Sequence, residues 1–206
     1  MTIRAGAVTT RIPFGSHQQG AMAEKSDSLQ AGAAAAATLA PDKSVEFVLS
    51  QADTPEQFVA ALAKLFAVRL NEVALLRLEK GLLKFVLPEQ LKTAGSIPVS
   101  SSSSVAAHTA STKKTELFNS FTKVKHARVF ETVKLPSDSD DQSEQGSIQK
   151  LMSAPVLNMQ GRVLGVIQVC RKAFDATLAG PDFTGADLQQ LELVAKVAAK
   201  KRFMKE

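Results

Sequence analysis

Tryptophan and tyrosine are absent from this chain, and cysteine occurs once, at Cys170. Phenylalanine is the only strongly aromatic side chain, so a stacking platform for bases or sugars would have to be built from it alone. One cysteine excludes an internal disulfide, a dithiol redox pair and any zinc site that takes two thiolates from the chain. A single thiol fits a reducing compartment, and the expectation is a cytoplasmic protein. No run approaches the roughly 20 consecutive apolar residues of a membrane-spanning helix. The alanine-dominated stretch 31–40 is too weakly hydrophobic to act as a secretory signal. An organelle transit peptide stays open, because residues 1–40 are rich in Ser, Thr and Ala and poor in acids.

What is present is a globular composition. Of 206 residues, 45% are apolar and 22% charged, which suits one domain with an appendage, or two very small domains. The formal net charge of +5 would suit nucleic acid or an acidic membrane. The cations are scattered, however, apart from 200–202 and a looser set at Lys123, Lys125, His126 and Arg128. The expectation is a solvated surface, with neither nucleic acid nor membrane as a partner.

Residues 1–42 read as a disordered Ala/Ser/Gly-rich tail, with Met22 as an alternative start, and a folded domain follows over 43–206. Ser44 is placed to cap a short helix carrying Val45, Val48 and Leu49. A second helix begins after Asp53 or Thr54 with Pro55 in its first turn, and its apolar stripe runs from Phe58 through Leu62, Leu65 and Phe66 to Arg69. Residues 72–78 and 82–88 predict a hairpin turning at Gly81, and 96–100 a short edge strand, since Pro98 cannot donate to a ladder. A short helix follows the serines at 100–104, then a short strand and an irregular segment through 133. Residues 136–147 form an acidic flexible loop whose Asp138, Asp140, Asp141 and Glu144 lack the spacing of a calcium loop. LMSAPVLNM and RVLGVIQVCRK, joined at Gln160-Gly161, are apolar on both faces and belong at the centre of a covered sheet. Thr184 caps a closing helix over 184–202, with Asp187 making an imperfect capping box and Phe183 and Leu188 a hydrophobic staple.

Strands in hairpins and helices near the ends predict an α+β domain. This order, with three stretches of sequence, resembles the GAF domain family. LMSAPVLNMQGRVLGVIQV is similar to the family's hairpin: a small residue and proline, an apolar strand, a turn, then G-V-[IL]-x-[LV]. Arg171-Lys172 followed by Phe183 and Asp187 resembles the N-K…F…D-E signature of cyclic-nucleotide-phosphodiesterase GAF domains, with Arg for Asn and Leu188 for Glu. FTGADLQQLELVAKVAA, 183–199, is similar to the family's closing helix, and 96–120 resembles its short helix and next strand. The resemblance covers roughly 44–200. It implies a central antiparallel sheet of five or six strands with helices on its faces and the terminal helices packed together. It also implies a sensory or regulatory module with a small-molecule pocket under the short helix, and a homodimer formed through the terminal helices.

Candidate residues follow. Ser101, Ser102 and Ser104, with His108 one turn after Ser104, would present hydroxyls and helix N–H groups to a phosphate or carboxylate. A polar helix cap beside an exposed histidine also explains them and is the preferred reading. Phe118, Phe121 and Phe130 would line an apolar cavity or fill the core. The resemblance gives Lys172, Phe183 and Asp187 a structural part, with a Lys172–Asp187 ion pair holding the loop between them; helix-dipole complementation explains Asp187 as well. No nucleophile–base pair follows from spacing, and relatives that reduce free methionine sulfoxide use several cysteines, so no enzyme is expected. Cys170 reads as a buried small hydrophobe. The ligand and any cofactor are left unidentified, and the alternative is a dimerisation module with an occluded pocket.

Overall fold

Alternation along the strands decides which layer each residue joins. In the computed structural model, which describes residues 41–93, 95–123 and 146–205, six antiparallel strands form one sheet in the order β3-β2-β1-β6-β5-β4. They are β1 Val73–Glu79, β2 Leu82–Leu87, β3 Ser96–Pro98, β4 Glu116–Phe118, β5 Ser147–Leu157 and β6 Val163–Ala173. The helices are α1 Pro41–Ser50, α2 Pro55–Leu65, α3 Val105–Thr112 and α4 Gly185–Ala198. Val73 and Leu75, Met152, Ala154 and Val156, and Ile167 and Val169 face a core shared with α1, α2 and α4. Their neighbours Ala74, Leu76, Leu151, Val166 and Cys170 face a second core under α3. A period of two thus feeds both layers, as the doubly apolar hairpin predicts.

β3 is an edge strand, and Pro98 sits in it opposite Leu82. Lys80 and Gly81 both take positive φ, +48° and +80°, so the β1–β2 hairpin turns where its glycine places it. Thr54 caps α2 by accepting the Gln57 N–H at 3.3 Å, and Phe58 and Leu62 are wholly buried beneath that helix. Burying each of two such side chains is worth about 1.5–3 kcal/mol.

Three boundaries differ from expectation. α1 starts at Pro41 rather than at Ser44. α2 stops at Leu65, so its stripe does not reach Arg69. Ala67 turns left-handed there, and the Val68 N–H returns to the Ala63 carbonyl at 2.9 Å. α4 ends at Ala198 rather than at 202. The chain turns away so that Met204 becomes buried and Phe203 meets Phe58 edge-on at 5.6 Å. The terminal helices do pack: α1 lies on α4, and Lys201 Nζ donates to the Ser50 carbonyl at 2.8 Å. The Asp187 box is complete, since Thr184 Oγ1 accepts the Asp187 N–H at 3.2 Å and Asp187 Oδ2 accepts the Thr184 N–H at 2.7 Å. The tail 1–40, Phe130 and the acidic stretch 136–145 lie outside the described residues, while Ser147 already belongs to β5.

Gly165 in β6 is closely packed: a Cβ there would fall on the Leu76 carbonyl oxygen and against the Met204 methyl. Gly165→Ala is expected to lower unfolding stability by about 2 kcal/mol or more, read as a reduced urea midpoint at unchanged slope.

Candidate functional site

α3 is short, capped at both ends and made of small residues. Ser104 Oγ accepts the Ala107 N–H at 3.3 Å, and Lys113 closes the helix in the left-handed region at φ +57°. Buried Ala106, Ala107 and Ala110 let its backbone approach the sheet closely. Thr109, on the same side, is completely buried and cannot be left without partners.

Its partners are a polar row crossing the sheet. Glu116 on β4 lies opposite Ser153 on β5, and Ser153 lies opposite Gln168 on β6. One consistent assignment has the Thr109 hydroxyl donating to Glu116 Oε2 at 3.1 Å and accepting from Ser153 Oγ at 2.8 Å. Gln168 Nε2 donates to Ser153 Oγ at 3.4 Å. The far end is at the surface, where exposed His108 places Nδ1 3.0 Å from Glu116 Oε1. Every bridging hydroxyl then has one donor and one acceptor, in an otherwise apolar core.

The structure joins His108 to Glu116 rather than to the serine hydroxyls. Ser104 Oγ is committed to its cap, Ser101 Oγ lies 3.2 Å from Ser103 Oγ, and Ser102 is exposed. Phe118 and Phe121 meet edge-on at 5.9 Å, Phe121 being wholly buried in the α3-side core. Thr109, Glu116, Ser153 and Gln168 were not among the sequence candidates. Two of them carried a signal: Ser153 in LMSAPV and Gln168 in VIQVC are lone polar residues inside apolar strand runs.

A second polar cluster clasps the end of β6 to the α2–β1 connection. Buried Glu72 accepts the Lys172 N–H at 2.6 Å, the Arg69 N–H at 2.7 Å and Arg69 Nη2 at 3.1 Å. Lys172 Nζ, also buried, donates to the Asn71 carbonyl at 3.0 Å. Arg171 donates to the Phe66 and Ala67 carbonyls at 3.1 and 3.0 Å, and its guanidinium lies 4.8 Å from the Phe183 ring centre. It therefore satisfies the carbonyls where α2 breaks. Lys172 and Asp187 do not pair with each other: Asp187 serves its own helix start, and Lys172 holds the Asn71 backbone. Asn119 Oδ1 and Nδ2 grip the Phe183 N–H and carbonyl at 3.0 and 2.9 Å. In the intervening loop, the Thr177 hydroxyl and the Leu178 and Thr177 amides hold the Asp175 carboxyl below its usual range.

Cys170 is fully buried opposite Leu151, a small hydrophobe in the α3-side core. Among the described residues no three of His, Cys, Asp and Glu gather as a metal site.

The sequence profile of the GAF domain matches residues 53–201. The chain belongs to the GAF domain family. No curated protein matches it in sequence. Among solved structures it is similar to the GAF domain of an Acinetobacter phosphoenolpyruvate-protein phosphotransferase, at 13% identity and TM-score 0.54, covering 77% of this chain and 87% of that one. The GAF domain of the Coxiella burnetii phosphoenolpyruvate-protein phosphotransferase gives 10% identity and TM-score 0.54, over 77% and 91%. The A. aeolicus nlh2 GAF domain in an inactive state gives 10% and 0.52, over 80% and 94%. At these identities the likeness establishes the fold. GAF domains are commonly sensory or regulatory.

The clasp makes Glu72 costlier to remove than Asp187. Glu72→Ala is expected to lose about 2–3 kcal/mol, because it strands the buried Lys172 N–H and frees the Arg69 backbone and side chain from the clasp. Asp187→Ala is expected to lose only about 1 kcal/mol, a helix cap. Chemical denaturation of both variants checks the order.

Proposed function

We propose that this GAF domain is a regulatory module that receives a small molecule on the sheet face under α3 and acts through a homodimer or a partner in trans. The observation that supports this reading is the row His108, Glu116, Thr109, Ser153 and Gln168. It places hydrogen-bonding groups beneath α3 and brings them to the surface at one end, where a polar ligand would exchange partners with His108 and Glu116. Ser101, Ser102, Ser104, Phe118, Phe121 and Phe130 complete the candidate lining. No catalytic role is assigned to any of them, and the cytoplasm is the proposed location. No helix among the described residues is long and apolar enough to cross a membrane. The burial of Phe121 under Phe118 favours the second reading, a dimerisation module with an occluded pocket.

The homodimer would use the terminal helices. α1 exposes Phe47 and Val48, at 67% and 53%, beside an apolar groove of about 240 Å³ formed with α2 by Val45, Leu49, Ala61 and Leu65. Exposed apolar area of this kind marks an interaction surface.

Native mass spectrometry of freshly purified protein tests both parts. A dimer is expected, with Phe47→Glu monomeric at the same concentration; a monomeric parent chain overturns the dimer. A thermal-shift screen with nucleotides and small acids is expected to find a ligand that raises Tm. Its affinity should fall about tenfold in Thr109→Val. A ligand whose affinity is unchanged in that variant overturns the α3-face site.

A further inference from the structure

The end of the molecule formed by the β5–β6 turn and the exit of α4 carries a feature outside that reading. Leu157, Asn158, Met159 and Gln160 from the turn face Lys196, Ala199, Lys200 and Lys205 across a groove of about 460 Å³. Among the described residues, three ammonium groups line it and no carboxylate does. None of the three ammonium groups takes part in a hydrogen bond or ion pair within the described residues, whereas that of neighbouring Lys201 is committed to the Ser50 carbonyl.

A cation in the last turn of a helix answers the helix dipole. That accounts for Lys196, in the last turn of α4, but not for Lys200 and Lys205, which lie past its end at Ala198. Three like charges gathered on one groove repel one another. The backbone groups at this helix end are already engaged: the Lys200 and Lys201 N–H groups donate to the Val197 and Ala198 carbonyls at 3.0 and 2.9 Å.

The opposite wall is held firmly. Asn158 Oδ1 accepts the Gln160 and Arg162 N–H groups at 3.0 and 2.9 Å, and Gly161 takes φ +71° to close the turn. Lys113 Nζ, from the end of α3, donates to the Gly161 carbonyl at 2.9 Å. This turn keeps Met159 completely exposed at its tip. A hydrogen-bonded wall with an apolar tip and two side-chain amides thus faces three cations that have no partner among the described residues.

We infer that this groove is a binding site for a small soluble polyanion carrying at least two phosphoryl groups. Charge sets the number: one phosphate monoester brings about −1.5 to −2 at neutral pH, too little to neutralise three ammonium groups. Size sets the class, since the volume lies within the range of small-molecule pockets. The amides of Asn158 and Gln160 donate to phosphoryl oxygens, and Met159 and Leu157 cover the ligand's apolar part.

Isothermal titration of the full chain with inorganic tripolyphosphate tests the site. Saturable one-to-one binding is expected, at least about tenfold tighter than inorganic monophosphate. The exposed-surface double variant Lys196→Gln, Lys200→Gln should weaken it about tenfold or more. Lys64→Gln, at the α1–α2 groove, and Thr109→Val, in the α3-side row, should leave it unchanged, separating this site from the proposed regulatory pocket. Equal weakening by Lys64→Gln would mean diffuse charge attraction and overturn the site. So would the lack of saturable binding. Tighter binding to anionic lipid vesicles or to a single-stranded oligonucleotide would overturn the small-molecule class.

Discussion

Strand β6 has no solvent-facing side between Gly165 and Cys170, and both layers of the protein exist to cover it. Its even and odd residues enter different cores, so α2 and α4 must close one face and α3 with the 3-10 turn at Phe121 the other. Paired with β1 over Gly165–Val169 and with β5 over Val163–Ala173, β6 is an interior strand of the sheet. Even its glycine is dictated by this position, because neighbouring backbone fills the place of a side chain.

The same strand carries the polar chemistry to where it is used. Gln168 sends one polar group into the α3-side core, and the row it begins runs outward through Ser153 and Thr109 to Glu116 and His108. At its far end, Arg171 and Lys172 turn to the α2–β1 connection and hold it through Glu72, Asn71 and the carbonyls of Phe66 and Ala67. Buried polar groups such as these are tolerated only when each finds a partner, so the two clusters constrain the register of the strands that bring them together. The Arg-Lys motif works here as a clasp between elements about a hundred residues apart in sequence.

Much of this was legible in the chain. The doubly apolar hairpin, the Lys80-Gly81 turn, the Pro98 edge strand and the caps at Thr54, Ser104 and Thr184 all follow from local chemistry, and each forms where its residues place it. Helix ends were less legible. α2 breaks at Phe66 because Arg171, from β6, is there to donate to the Phe66 and Ala67 carbonyls, and α4 ends early because Met204 has a buried position to reach. Likewise, spacing on one helix suggested Ser104 with His108, while the partner of His108 is Glu116, on the next strand.

By itself, then, the sequence determined the local order of elements, the two-faced strands and the family, because caps, turns and a period of two are properties of neighbouring residues. The tertiary structure alone decided which side chains meet: Glu116 with Thr109 and Ser153, Glu72 with Lys172, and Lys205 with Lys196 and Lys200 beside the β5–β6 turn. Those meetings depend on strand order and on where helices stop. Such features are set by long-range packing and by the requirement that buried polar groups be satisfied.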